Sequence, residues 1–251
     1  MTRRLSALVV AHNEEAQLAE CLARLAFADE IVVVLDRCTD ASAAIARAAG
    51  ARLVEGGWEL EGPRRMAGIA ACTGDWILEV DADERVSAAL AAEIGSSIAT
   101  AAPGHFLIPF DNYIGGRLVR YGWGGSFGVS AKPCLFSQGA KHWGDQRVHP
   151  AVTLEGPKRF LATPMEHYVD RDISDMIRRL DRYSTARAQD LRDAGVDLGP
   201  MWPNVRRIFS RFYKCFVARR GYREGGYGFL IALFAGLYPI LSYLKARLET
   251  E

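Results

Sequence analysis

A chain of 251 residues with 49% hydrophobic and 24% charged content can bury one substantial core with at most a small second lobe, which excludes a disordered polypeptide. Its 31 basic and 30 acidic residues balance to +1, so no overall field selects nucleic acid, and electrostatic partners must be read locally. Five cysteines, Cys21, Cys38, Cys72, Cys134 and Cys215, are scattered, odd in number and without a CxxC pair, which suits a reducing compartment.

The start carries two arginines, but the apolar stretch Ala7 to Ala11 stops at His12-Asn13-Glu14-Glu15, too short for a signal-peptide core. Residues 8–11 read instead as a first strand. Residues 14–25 follow as a helix with Leu18, Cys21, Leu22 and Leu25 on one face. Residues 31–35 form a continuous apolar run, as a strand covered on both faces requires. Thr39-Asp40 can cap a helix running to about Ala49, Gly50 supplies its stop, and residues 52–54 make a short third strand. A helix over 64–71 ends at Thr73-Gly74, and residues 76–80 form a fourth strand that runs into Asp81-Ala82-Asp83-Glu84 before a helix over 87–100. This alternation predicts βαβ units on a mainly parallel α/β sheet with helices on both faces.

From 105 to 161, glycines, aromatics and short alternating runs predict strands and long loops, the place for a substrate-specific region. Helices return from Asp172, with Ile173, Met176, Ile177, Leu180 and Tyr183 at three- and four-residue spacing. Between Asn204 and Gly225 seven Arg or Lys accompany an apolar stripe of Val205, Ile208, Phe209, Phe212 and Phe216, which predicts a basic amphipathic helix. Residues 225–244 are twenty without a charge, long enough to cross a bilayer, but the glycines at the start and Pro239 favour a buried or interfacial helix pair.

Open parallel sheets bind ligands beyond the carboxyl ends of their strands. Three predicted strands end in polar groups there: His12-Asn13-Glu14, Asp36-Arg37, and Asp81 with Asp83. Two carboxylates two residues apart, as a strand gives way to a loop, can share a Mg²⁺ or Mn²⁺ that also meets diphosphate oxygens and offsets charge on a departing nucleoside diphosphate. An acidic turn capping the helix near Ser87 is the plainer alternative. Asp36 could accept from a ribose hydroxyl or base edge, or be a turn residue; Arg64 and Arg65 could meet phosphate, or lie on a solvated face. No GxxxxGK[ST] or GxGxxG occurs, which argues against ATP hydrolysis or a dinucleotide cofactor.

The stretches LSALVVAHNEEAQLAECLARL, FADEIVVVLDRCTDASAAIA and TGDWILEVDADERVS resemble glycosyltransferase family 2, and most its branch of lipopolysaccharide-core glucosyltransferases. The likeness continues more weakly through Gly122-Trp123, Leu135-Phe136, Val148-His149, Glu166-His167-Tyr168 and RRGYREGGYGF. It implies a GT-A (Rossmann-like) fold over 1–170, with a nucleotide-sugar half at 1–100 and an acceptor half at 101–170, and a helical extension over 171–251. It also implies a UDP-sugar donor and inversion by direct displacement. Ala11, His12, Glu14, Asp36, Asp81 and Arg65 would contact the nucleotide, and Asp83, with Asp81, the metal. The family's Val-His-Glu is Val148-His149-Pro150 here, so the base that deprotonates the acceptor hydroxyl is sought at Asp145 first and His149 second. The expected enzyme moves a hexose to a lipid-linked or lipopolysaccharide-type saccharide acceptor, in the cytoplasm at the inner face of the membrane, with peripheral contact through its basic tail. A polyprenyl-phosphate sugar transferase, or a non-catalytic nucleotide-sugar-binding relative, are the alternatives.

Overall fold

The computed structural model describes residues 3–124, 130–145, 151–195 and 197–249. They fall into two compact units, Met1–Phe110 with Ala131–His167, and Asp111–Ser130 with Tyr168–Glu251.

The first unit opens with the expected alternation: β1 Leu5–Ala11, α1 Glu15–Ala23, β2 Glu30–Asp36, α2 Ser42–Ala48, β3 Arg52–Gly56, α3 Glu61–Ala71 and β4 Trp76–Asp81. After these come β5 Glu84–Arg85, α4 Ala88–Thr100, β6 His105–Ile114, β7 Arg117–Val119, β8 Ala131–Ser137, β9 Lys141–Trp143, β10 Val152–Leu154, β11 Lys158–Phe160 and β12 Met165–Asp170. Strand order is β3-β2-β1-β4-β8-β6-β12-β5; β1 to β4 are mutually parallel, and β8 joins β4 antiparallel. The mixed, mainly parallel sheet is thus as expected.

Side-chain alternation explains the layers. Ala7, Val9, Ala11, Val33 and Leu35 face one way and pack with Leu18, Leu22 and Leu25 and with Leu90, Ile94 and Ile98 of α4. Leu8, Val10, Val32 and Val34 face the other way, onto Ile69 of α3. Helices therefore cover both faces. The helix after Asp81 is capped by Ser87, whose Oγ accepts from the Leu90 amide at 3.2 Å, so the acidic turn does not serve as that cap.

In the second unit, residues 112–114 of β6 pair with β7 across Gly115-Gly116, both at positive φ as a tight hairpin turn demands. Helices α5 Ile173–Asp193, α6 Trp202–Tyr213 and α7 Gly226–Leu248 surround a core of Ile114, Val119, Met176, Leu180, Ile231 and Phe234. The basic stretch is α6 followed by a π-helical turn, Lys214–Ala218, and a 3₁₀ turn, Gly221–Glu224. The apolar tail is not a helix pair: Pro239 sits inside one continuous α7. Packing explains this, since Gly236 lets the α6 backbone approach so closely that a Cβ there would lie 2.7 Å from the Ile208 carbonyl oxygen. Its length and mean hydropathy of 1.7 match a membrane span, but 61% of that window is buried.

The α3 face depends on a similar approach, since a Cβ on Gly68 would lie 2.6 Å from Leu8 Cδ1 and 2.7 Å from Val34 Cγ2. Gly68→Val should therefore cost about 1–3 kcal/mol by overpacking, read as a lower urea midpoint; an unchanged midpoint would refute this packing.

Candidate active site

The site lies at the carboxyl ends of β1, β2 and β4. Two of those strands are followed by non-glycine residues at positive φ, Asn13 (57°) and Arg37 (50°). Such backbone costs about 1–2 kcal/mol per residue and persists only where surroundings fix it. Here they do: Asn13 Oδ1 accepts from the Thr39 amide at 2.8 Å, and the Arg37 amide donates to the Gly56 carbonyl at 2.9 Å. His12 Nδ1 lies 2.6 Å from the Asp36 carbonyl, which makes Nδ1 the protonated nitrogen. Ala11 is buried at the end of β1, and the Glu14 amide donates to Ser42 Oγ at 3.0 Å. The first two strand ends are therefore tied to one another.

Asp36 is 2% exposed and saturated. Its carboxylate accepts from Arg37 Nε and Nη2 (3.0 and 3.1 Å), Arg64 Nη1 (3.1 Å) and the Trp58 amide (3.1 Å). Those four bonds occupy its acceptor positions, so a nucleotide would have to displace one of them. Burial alone would raise this carboxyl, but the bonds from Arg37, Trp58 and Arg64 bring it below its ordinary range.

Strand parity sends Glu79 and Asp81 of β4 to the same face, toward α3. Arg65 of α3 bridges them, at 2.8 Å to Glu79 and 3.1 Å to Asp81, and also reaches Glu61 at 2.9 Å. Lys141 pairs with Glu79, and Lys132 bonds Asp81 at 3.1 Å and Glu84 at 2.5 Å. Burial opposes ionisation of Asp81, yet Arg65 and Lys132 hold it far below the usual carboxylate range. Glu84 moves upward, driven first by burial and then by the Asp81 charge, against the pull of Lys132. Arg65, expected at the nucleotide, is thus a 12% exposed cation in an ionic cluster.

Asp83 stands apart from that cluster. Its Oδ2 is 3.4 Å from His167 Nε2, because β12 pairs antiparallel with β5 and sets His167 opposite Glu84. Asp83, Glu84 and His167 each bring one ligand atom within 4.8 Å of the others. This donor set fits a divalent cation: carboxylate oxygens suit Mg²⁺ and Mn²⁺, and an imidazole suits the softer of the two. Glu84 is 1% exposed, and its oxygens already accept from Lys132 and the Asp81 amide, so Asp83, paired with His167, is the more exposed carboxylate of the group. Asp81, expected to share the metal, is held by Arg65 and Lys132 instead of belonging to this group.

Asp145 is exposed and makes no ion pair or hydrogen bond among the described residues. Its neighbour Gly144 packs on α3, where a Cβ on Gly62 would lie 2.0 Å from the Gly144 carbonyl oxygen. His149 lies outside the described residues. His167, Glu84, Lys132 and Lys141 were not singled out as site residues from sequence. Of these, Glu84 stands in the Asp81-Ala82-Asp83-Glu84 run and His167 in the Glu166-His167-Tyr168 stretch, each without a role of its own.

The sequence model described as Glycosyl transferase family 2 matches residues 6–94. Over 96% of its length the chain is 26% identical to the lipopolysaccharide core biosynthesis glycosyltransferase LpsC of Rhizobium meliloti, 91% of which is covered. It is 24% identical, over 98% of its length and 91% of the relative's, to an uncharacterized glycosyltransferase of Rickettsia conorii. Among solved structures it is similar to glucosyl-3-phosphoglycerate synthase from Mycobacterium tuberculosis, at 22% identity and a TM-score of 0.37. That alignment covers 45% of this chain and 44% of the other, so the chain spans under half the length of that structure.

All five cysteines are free, and only Cys38 is not buried. Burial pushes the Cys21 and Cys72 thiols up to about 12 and moves Cys134 upward too. Ellman's reagent at pH 8 should therefore titrate one thiol in the native protein and five after unfolding; Cys38→Ser should remove the native reaction. Rapid labelling of two or more native thiols would contradict this burial.

Proposed function

We propose that this family 2 glycosyltransferase transfers a hexose from a UDP-sugar to a lipid-linked or lipopolysaccharide-type saccharide, by direct displacement with inversion and with Mg²⁺ or Mn²⁺ bound. The observation that carries the reading is the meeting of Asp83 and His167 beside a carboxylate already neutralised by Arg65 and Lys132. Asp83 and His167 would hold the cation, which when bound offsets charge on the departing diphosphate. Ala11, His12, Glu14 and Asp36, at the ends of β1 and β2, would line the uridine side of the crevice. Arg37 and Arg64, now spent on Asp36, are the groups a nucleotide would recruit.

On this reading Asp145 takes the proton from the acceptor hydroxyl as it attacks, a role its exposure permits. The acceptor class follows from the relative named for lipopolysaccharide core biosynthesis. Work beside the membrane is supported by exposed aromatics in and beside the basic stretch, Trp202, Phe209, Tyr213 and Tyr222.

The test is UDP release with and without a lipopolysaccharide-core acceptor, paired with calorimetric UDP binding in Mn²⁺. Asp145→Ala should lower acceptor-dependent release by about a hundredfold or more with UDP binding retained. Asp83→Ala and His167→Ala should abolish the Mn²⁺-dependent part of UDP binding. Unchanged release in Asp145→Ala sinks the base, and unchanged metal-dependent binding in Asp83→Ala sinks the cation site.

A further inference from the structure

We infer that the second unit carries a pocket for a phosphoryl group, formed where the segment after β7 meets the turn between α6 and α7. The cavity, of about 350 Å³, is lined by Arg120, Tyr121, Trp123, Ser130, Arg219 and Arg220, among others. It lies in different residues from the Asp83 cluster, and the inference does not rest on the donor reading.

Charge is the first argument. Among the described residues, Arg120, Arg219 and Arg220 form no ion pair with a carboxylate, so three guanidiniums gather without a counter-charge. The nearby carboxylate is already engaged. Glu224 is buried, and its Oε1 accepts from the Arg120 and Tyr121 amides at 2.9 and 3.1 Å, while its Oε2 lies 3.8 Å from Arg117. It fixes the backbone of the pocket, and its single charge is outnumbered by the three guanidiniums.

Construction is the second. The Gly122 amide donates to the Arg219 carbonyl at 3.0 Å, and a Cβ on Gly122 would lie 3.1 Å from the Gly221 Cα, so the two segments meet backbone to backbone. A Cβ on Gly124 would lie 1.7 Å from Arg219 Nη1, so a side chain there would push that guanidinium aside. Arg223 stacks over Tyr121 at 4.8 Å and donates to its hydroxyl at 3.2 Å, which fixes the rim.

Strain is the third. Arg220 has φ 59° and ψ 28°, a left-handed conformation suited to glycine. The other two non-glycine residues at positive φ, Asn13 and Arg37, stand at the strand ends of the candidate active site. The left-handed residue directly follows the cap of the Lys214–Ala218 turn, where the Arg220 amide donates to the Val217 carbonyl at 3.0 Å, and it turns the chain so that Arg219 and Arg220 both line the pocket. Forked guanidiniums from separate segments match the several oxygens of a phosphoryl group better than the two of a carboxylate. Such a group could be a soluble phosphate ester or a lipid headgroup, since exposed Tyr213, Val217 and Tyr222 belong to the same stretch of chain.

The experiment uses the full chain without divalent cation. Inorganic phosphate is titrated calorimetrically, and co-sedimentation is measured with phosphatidylcholine vesicles with and without phosphatidic acid. Arg120→Ala and Arg220→Gly are compared singly and together; the second relieves the left-handed strain, so its melting temperature should not fall. Saturable phosphate binding should weaken about tenfold for each guanidinium removed. Phosphate binding without a vesicle gain from phosphatidic acid assigns a soluble ester; a gain that the double variant loses assigns a headgroup. If the wild type binds neither probe, or the folded double variant binds both as the wild type does, the pocket is not a phosphoryl site.

Discussion

Arg65 and Lys132 decide what each aspartate at the end of β4 can do. Gripped by both cations, Asp81 is ionised, fixed and charge-balanced. Asp83, two residues on and past the end of the strand, meets a histidine instead. Two neighbouring carboxylates thus have different electrostatic settings: Asp81 pairs with Arg65 and Lys132, and Asp83 with His167. The arrangement costs desolvation, because Glu79, Glu84 and Lys141 are buried with it. Removing one partner of such a cluster leaves an uncompensated buried charge, which makes the cluster rigid.

The same economy appears at the first two strand ends. Asp36 is saturated by Arg37, Arg64 and Trp58, while Asn13 and Arg37 are held in left-handed backbone by cross-loop bonds. The crevice is ordered before any ligand arrives. Preordering of this kind lowers the entropy that binding must offset. It also holds Arg37 and Arg64 on Asp36, the pairs that the proposed diphosphate would have to break.

Much of this fold was legible because its parallel strands are short continuous apolar runs, and helix periodicity is plain between them. Residues 31–35 and 76–80 were placed within a residue or two at either end. The tail misled because Pro239 was read as a break, whereas packing of α7 on its neighbours holds one helix through it. At the site, strand ends pointed to Asp36, Asp81 and Asp83, but their partners were hidden. The pairing of His167 with Glu84 joins residues far apart in sequence, and Lys132 and Lys141 reach Asp81, Glu84 and Glu79 from later strands. No local spacing encodes such contacts. Strand parity could have grouped Glu79 with Asp81, since both stand on the α3 face.

The account turns on Asp83 and His167 as the cation's protein ligands. Pulsed electron paramagnetic resonance of the protein with Mn²⁺ and UDP should show one imidazole nitrogen coupled to the metal, lost in His167→Phe and kept in His12→Phe. Bound Mn²⁺ without nitrogen coupling, or coupling that survives in His167→Phe, would contradict it.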